Sequence, residues 1–516
     1  MYDKIRVNTA FQARLKAYLK DQDIFNINLF FSAEADSYNV CQLANYLRYL
    51  KVLFYIHLQR SVPELKLKEL DLPQNSQILN EDLHNRFKDV LKQDFEMIFA
   101  NSILDEFLFT DAFVPTFKTH IEEMKKLDFQ QLNADIIGAI YNTLIDNQEQ
   151  HDRGQHFTNT NEVDIINAFC INKNTHHIID TACGAGTFLV RAYRFLKHFH
   201  PQLAHEQLLE RLWGIEIATF PVFLASINLC LLNIKTIDNY PSIIQSDFSE
   251  IEGNKKYKLR KATKKQTLKL KDIRNEIRDV QMPSFQACVG NPPYIRQELI
   301  GNKERWLTLA QQEHEIKKIN KQSDLYVYYL MHTASLLEEG GRLGYVIASS
   351  WLDVTYGAGL QKFLLDNFKI IAIIDHQNKR SFETASINTV ILILEKCSKN
   401  EHERAKNKVK FVRMYQKYED VLGTITDKNR LDKVFDFVEN IEKTKGNRNN
   451  RNFTITLVSQ QKLEQQSIID NKYKNGQWGA KYLRSSKIFN RILQKASHKL
   501  LPLSQIVDIK RGITSG

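Results

Sequence analysis

The middle of the chain alternates short apolar runs with helical segments, and this alternation constrains the fold more than any other feature. Runs that are apolar along nearly their whole length indicate strands buried on both faces, as in a doubly wound, largely parallel sheet. Only about fourteen residues separate the last two runs, which favours an antiparallel final strand. The seven predicted strands are His177–Asp180, Leu212–Ile217, Ile243–Ser246, Phe285–Val289, Leu343–Ala348, Ile370–Ile374 and Thr389–Leu394.

The regions on either side of this alternation have a different character. Residues up to about 150 are predicted to be helical, most clearly Asp135–Asn147, whose apolar residues recur at helical spacing. After Lys396 the pattern weakens, and the polar, turn-forming segment Lys443–Asn452 is predicted to be an exposed linker. Helical periodicity returns around Ser485–Ala496. We therefore expect a helical domain over residues 1–150, an α/β domain over 151–400, and a linker with the start of a further domain over 401–516.

Charge and cysteine content narrow the class of protein. The net charge is +11, and residues Lys255–Asp279 alone carry eleven Lys or Arg against three Asp or Glu. Such a segment can neutralise phosphates, although a solvated surface insertion is equally compatible with it. Six scattered cysteines without metal-ligand spacing predict reduced thiols and no metal site. Because charged residues interrupt the most apolar helix, Leu43–Leu58, we expect no membrane contact and a soluble protein of the bacterial cytoplasm.

Three motifs at consecutive predicted strand ends indicate a nucleoside site. The loop Asp180–Thr187, DTACGAGT, lies between a strand and a helix, and Gly184 and Gly186 permit close approach of a ligand to the backbone. Glu216 ends the next strand, where a carboxylate can accept both ribose hydroxyls. Asp247 and Phe248 follow the third strand and offer an acceptor and a stacking ring for an adenine. Open α/β sheets bind nucleosides at these strand ends.

A fourth motif, Asn291-Pro-Pro-Tyr294, follows the next strand and suggests the chemistry. Two prolines cannot continue a central strand, so the end of the strand is presented to a ligand. The Asn291 carboxamide oxygen and the Pro292 carbonyl are two adjacent acceptors suited to an aromatic amino group. Hydrogen bonds to both N–H groups favour pyramidalisation and expose the nitrogen lone pair. Tyr294 can stack on the ring that carries the amino group.

Together these segments resemble the motif series of amino-methylating DNA methyltransferases. The similarity is strongest to gamma-class N6-adenine enzymes such as type I modification subunits and the methylase part of type IIG enzymes, and it covers about residues 133–395. It implies a Rossmann-like seven-stranded methyltransferase sheet with S-adenosyl-L-methionine as cofactor. The DPACGSG loop of the family corresponds to Asp180–Gly186, including Ala182, with Thr181 in place of Pro and Ala185 in place of Ser.

The resemblance assigns roles to further residues. Phe157 and Thr158 match a segment that contacts the methionine part of the cofactor, although Asn159 stands where the family usually has Pro. Asp324, in the segment Ser323–Tyr326, opens a helix on the cofactor side. Phe382 aligns with an aromatic that holds the flipped base opposite Tyr294, and a core role for it is equally compatible with the sequence.

The implied function is site-specific methylation of adenine N6 in double-stranded DNA, within a restriction-modification or phage-defence system, after base flipping. Alternatives are an RNA or protein-glutamine methyltransferase, or a non-catalytic nucleic-acid-binding scaffold. The segment Leu483–Gly516 resembles the entry into a recognition domain, which we expect to be incomplete here. Either a separate specificity subunit completes it, or the chain is a truncated form of a longer enzyme.

Overall fold

The N-terminal part of the chain is helical wherever it is described. The structure, a computed structural model, describes residues 34–126, 158–260, 277–376 and 388–485 with short gaps, and a few isolated positions after 485. The first stretch confirms the predicted helices, whereas residues 135–147 lie outside the described residues. Its helices are α1 Glu34–Ser61, α2 Ser76–Leu91, α3 Glu96–Phe99 and α4 Val114–Lys125. None of the helices in the described stretches is both long and apolar enough to cross a membrane.

Strands and helices alternate from residue 158 onward, as the apolar runs predict. The helices up to residue 400 are α5 Thr160–Cys170, α6 Thr187–Phe199, α7 His205–Leu209, α8 Thr219–Cys230, α9 Lys303–His314, α10 Leu325–Leu336 and α11 Gly357–Asn367. The strands are β1 Ile178–Asp180, β2 Leu212–Glu216, β3 Ser242–Gln245, β4 Lys256–Arg260, β5 Ile277–Gln281, β6 Phe285–Gly290, β7 Leu337–Ala348, β8 Phe368–His376 and β9 Thr389–Lys396. All seven predicted strands are present.

The sheet order places two of the predicted motifs side by side. The seven predicted strands run in the order β3-β2-β1-β6-β7-β9-β8, and β1 pairs in parallel with both β2 and β6. The direction of winding therefore reverses between β1 and β6, where open α/β sheets bind their ligands. Strand β9 is antiparallel to both β7 and β8, which confirms the prediction for the final strand.

The sheet does not end at residue 400, which corrects the predicted seven-stranded extent. Strands β10 Lys408–Met414, β11 Arg448–Asn449 and β12 Phe453–Ser459 extend it beyond β8 to ten strands. Segment Lys443–Asn452 is mostly exposed, as predicted, but it belongs to the connection into β12 and contains β11. The other elements here are α12 Glu401–Lys406, α13 Tyr418–Leu422, α14 Arg430–Glu442, α15 Gln460–Gln465, β13 Ile468–Ile469 and β14 Lys472–Tyr473. Most of residues 486–516 lies outside the described residues.

Apolar clusters cover both faces of the sheet. Helices α5, α6 and α14 pack on one face, and α9, α10 and α11 pack on the other. The N-terminal helices form a third cluster together with residues of α8, so they attach to the outside of a sheet helix. The basic segment begins and ends in a separate two-stranded hairpin of β4 and β5, and residues 261–276 between these strands lie outside the described residues.

Candidate active site

The loop after β1 forms a tight turn into helix α6. Gly184 and Gly186 have φ angles of +52° and +84°, values that favour glycine. A Cβ on Gly184 would meet nothing within 4 Å, whereas one on Gly186 would lie 3.1 Å from Ala225. The space above Gly184 is thus available to a ligand, and Gly186 allows α6 to pack against α8.

Asp180, at the end of β1, lies beneath the start of the catalytic motif. Its Oδ1 accepts a hydrogen bond from the Ala182 amide at 3.1 Å, and a Cβ on Gly290 would lie 2.7 Å from the same oxygen. Burial, and to a lesser extent the nearby charge of Glu216, raises the pKa of Asp180 to about 8. Gly290 therefore lets the end of β6 pass directly over a largely neutral carboxyl group.

Glu216, at the end of β2, is bonded to the same loop. Its Oε2 accepts from the Gly184 amide and its Oε1 from the Ala218 amide, each at 3.0 Å. The structure thus brings the predicted loop and the predicted ribose acceptor into direct contact.

The third strand end differs in part from the prediction. Asp247 caps a 3-10 turn, Phe248–Glu250, and accepts from the Ser249 amide at 2.8 Å. The turn directs Phe248 into the core, where its side chain is only 1% exposed. This placement favours a packing role for Phe248 over the predicted stacking on an adenine.

Tyr329 of α10 is an aromatic side chain next to Phe248 that the sequence did not predict. Its ring is partly exposed and packs 5.0 Å from Phe248. Burial raises the pKa of Tyr329 well above its ordinary value, with further contributions from the charges of Asp247 and Glu216. Tyr329 is therefore close enough to both carboxylates for their charges to act on its hydroxyl. It follows Asp324 by five residues, a spacing that does not place the two on one face of a helix, so the sequence gives no local signal for it.

Asn291 follows β6 directly and is held on both sides. Its Nδ2 donates to the Thr158 hydroxyl at 2.9 Å, and its Oδ1 lies 2.5 Å from the Tyr294 hydroxyl. The Tyr294 hydroxyl also lies 2.9 Å from the Val346 carbonyl, so its single proton has two acceptors to choose between. Thr158 thus contacts Asn291, the predicted catalytic residue.

Tyr294 is more buried than a stacking role alone requires. It is 7% exposed, and burial raises its pKa well above the ordinary value, with a smaller contribution from the charge of Glu162. Its hydroxyl therefore remains protonated and can act only as a neutral donor or acceptor.

Two other predicted positions have local structural roles. Asn159, which stands in place of the usual Pro, caps α5 by accepting from the Asn161 amide at 2.8 Å. Asp324 precedes α10, as predicted, and its Oδ1 lies 3.2 Å from the amide of Gln297, in the loop that follows Tyr294. Phe157 and Phe382 lie outside the described residues, so their predicted roles stay predictions.

The central part of the chain matches a known protein family. Residues 210–382 match the family described as Eco57I restriction-modification methylase, and this range includes Glu216, Asp247 and Asn291–Tyr294. This part of the chain is similar to Eco57I-type methylase domains. The matched range contains two of the three predicted nucleoside-site carboxylates and the whole Asn-Pro-Pro-Tyr motif, whereas Asp180 and its loop precede it.

Individual proteins similar to this chain include type II methyltransferases. The type II methyltransferase M.BstVI of Geobacillus stearothermophilus is 38% identical over 106 residues, which are 19% of this chain and 17% of that protein. The type II restriction enzyme and methyltransferase RM.Eco57I of Escherichia coli is 24% identical over 327 residues, 52% of this chain and 32% of that protein. The chain thus spans about a third or less of these relatives.

Solved structures share the fold of the chain. The type I methyltransferase subunit of Streptococcus thermophilus superposes with a TM-score of 0.51 at 17% identity, over 92% of this chain and all of that one. The type IIG restriction endonuclease BpuSI gives a TM-score of 0.53 at 14% identity, over 89% of this chain and 46% of that one. At this identity the similarity establishes a common fold and no more.

Proposed function

We propose that the chain is a site-specific DNA methyltransferase that transfers a methyl group from S-adenosyl-L-methionine to adenine N6. The main support for this proposal is the contact of Asn291 with Thr158, beside the loop of Asp180 and Gly184. This contact would hold the Asn291 carboxamide, an acceptor for an amino group, next to the proposed nucleoside site. The match to a restriction-modification methylase family and the named relatives support DNA as the substrate class.

The residues at the three strand ends fit a nucleoside cofactor. The open space above Gly184 admits a ligand against the backbone. Glu216 would accept the ribose hydroxyls and Asp247 the adenine amino group, with Tyr329 as the adjacent ring. The neutral state of Asp180 is compatible with close packing of β6 against the loop. Thr158 would hold Asn291, and from the family resemblance we infer that Phe157, Ala182 and Asp324 contribute to cofactor binding.

The residues of this chain would activate the amino group by positioning it. When bound, the cofactor supplies an electrophilic methyl group. The Asn291 oxygen and the Pro292 carbonyl accept the two N–H groups of the adenine, which localises the nitrogen lone pair. The Tyr294 hydroxyl turns to the Val346 carbonyl, which leaves the Asn291 oxygen to the base. Positioning and fixed dipoles supply most of the acceleration of methyl transfer. One proton of the amino group is released after its nitrogen is alkylated.

The substrate base would reach Asn291 only outside the DNA stack. Flipping costs a few kcal/mol, which stacking and edge hydrogen bonds offset. Tyr294 and Phe382 are the proposed stacking rings. The net charge of +11 supports contact with the phosphates of double-stranded DNA, and a separate specificity subunit is a proposed partner for sequence recognition.

Two variants separate cofactor binding from methyl transfer. We expect Glu216→Ala to weaken binding of the cofactor at least tenfold in calorimetry, since it removes the ribose acceptor. Asn291→Ala should bind the cofactor as wild type does but lose nearly all transfer of tritiated methyl groups to bulk bacterial DNA. Equal cofactor binding by Glu216→Ala contradicts the ribose assignment. Substantial transfer by Asn291→Ala, or transfer to RNA or protein instead of DNA, contradicts the proposed reaction.

A further inference from the structure

A buried histidine outside the predicted motifs contacts the turn that carries Asp247. His332 of α10 is 1% exposed and lies one helical turn after Tyr329. Its Nε2 is 2.9 Å from the Ile251 carbonyl and 3.2 Å from the Phe248 carbonyl. The Phe248 carbonyl belongs to the first residue of the 3-10 turn and the Ile251 carbonyl to its C-cap, so His332 contacts both ends of the turn.

The other side of the same ring faces a carboxylate. The His332 Nδ1 lies 2.8 Å and 2.9 Å from the two oxygens of Glu313 on α9. Both ring nitrogens therefore face oxygen atoms, so the ring is held from both sides. The Phe248 ring packs against the same imidazole, with its centroid 4.5 Å from that of His332.

Helix α9 holds the same turn at its outer side. The Arg305 Nε donates to the Ser249 carbonyl at 3.2 Å, and its guanidinium lies 3.5 Å from Glu250. The buried contacts of His332 and the exposed contacts of Arg305 thus clamp one short turn between two helices. Asp247 is the first residue of that turn, so the clamp fixes where its carboxylate points.

We propose that His332 is a positioning residue of the nucleoside site: held by Glu313, it fixes the turn that presents Asp247 to the cofactor. The inference rests on the proposed cofactor site. His332 acts through the Phe248 and Ile251 carbonyls and not through the reacting atoms. Loss of the ring removes its contacts with both carbonyls, so a variant without it should bind the cofactor more weakly.

Other polar and charged groups surround the pair of His332 and Glu313. Glu313 also accepts from the Ser335 hydroxyl at 3.0 Å, which helps to hold its carboxylate in place. The remaining groups on neighbouring elements are Arg305 and His314 of α9, Asp247, Glu250 and Glu252 of the turn, and Lys396 of β9, whose charge acts on Glu313. Comparison of wild type with Glu313→Gln isolates the pair, because only that variant removes the partner of the ring.

Calorimetry with S-adenosyl-L-methionine on the full chain tests the inference. At pH 7 we expect His332→Gln to bind about tenfold more weakly, a difference of about 1.4 kcal/mol. With tritiated cofactor, the KM for cofactor should rise by a similar factor, and kcat should stay within about twofold of wild type. Glu313→Gln should weaken binding less than His332→Gln does, because the contacts of His332 with the two carbonyls of the turn remain. His314→Gln is the matched control, because His314 contacts the Met331 carbonyl and not the turn.

Each outcome separates this inference from the proposed function. A wild-type chain that binds no S-adenosyl-L-methionine contradicts the proposed function. If wild type binds and a folded His332→Gln binds equally well, the positioning role is wrong. Equal weakening by His314→Gln also overturns it, since the effect would then be general. If His332→Gln does not fold, the decision passes to Glu313→Gln, and a cofactor affinity equal to that of wild type refutes the inference.

Discussion

Departures of single residues from the family pattern have local physical explanations. Thr181, which stands in place of Pro, is buried and places its hydroxyl 2.6 Å from that of Tyr345. Asn159 caps α5, a task that Pro cannot perform through a side chain. The sequence predicted which residues lie at the strand ends. It could not predict that Thr158 would contact Asn291, because that hydrogen bond depends on the packing of segments 133 residues apart.

The contact between Thr158 and Asn291 leads to a prediction about catalysis. Thr158→Val keeps the shape of the side chain but removes the acceptor for the Asn291 Nδ2, so the carboxamide loses its fixed orientation. We expect kcat to fall about tenfold, in line with a lost hydrogen bond worth about 1–2 kcal/mol. Cofactor affinity should change less than twofold. Thr158→Ser retains the hydroxyl and should behave as wild type, and an equal loss in both variants would speak against an orienting role.

The raised pKa of Asp180 predicts a specific dependence of stability on pH. The folded chain keeps this proton up to about pH 8, whereas an unfolded chain releases it near its ordinary pKa of 3.8. Stability therefore falls as pH rises between these values, by an amount on the order of a few kcal/mol. Asp180→Asn removes this loss. The melting temperature of the variant should exceed that of wild type by more at pH 8 than at pH 5, and a gap independent of pH would contradict the assignment.

The strands that could be predicted from the sequence are those with continuous apolar runs. Strands β6 and β9 are buried on nearly every residue and were evident as continuous apolar runs. Strand β10, KVKFVRM, intersperses basic residues with apolar ones, and β12 alternates Thr with apolar residues. Both lie at the outer side of the sheet and depend on each other for pairing. Strand formation there is set by neighbours distant in sequence, which a local pattern does not reveal.

Helix α5 is tied to α6 and α14 through one buried carboxylate. Asp164 is fully buried, accepts two hydrogen bonds from Arg191 at 2.7 Å and 2.5 Å, and pairs with Arg430. Asp164→Ala would leave two guanidinium groups without this partner, so we expect a loss of about 3–5 kcal/mol in stability and a melting temperature lower by several degrees. Glu439→Gln, which removes an exposed pair with Lys443 on α14, should change stability by less than about 1 kcal/mol. Equal effects of the two substitutions in thermal unfolding would contradict this account.

In the molecule as a whole, the site forms because two strands distant in sequence are neighbours. Asp180 ends β1 and Gly290 ends β6, and their pairing brings the glycine loop next to Asn291. The alternation of strands and helices predicted this edge of the sheet. The inward turn of Phe248 and the approach of Tyr329 were not predictable, because both depend on how α10 packs across the sheet.

The central claim is that Asn291 activates the amino group of a DNA adenine. The most direct test is nucleoside analysis by liquid chromatography and mass spectrometry of DNA from a host without adenine methylation of its own, expressing the chain with any partner subunit encoded beside it. We predict N6-methyladenine with the wild-type chain, and none above background with Asn291→Ala at equal expression. N4-methylcytosine in place of N6-methyladenine, or N6-methyladenine undiminished in the variant, would contradict the claim.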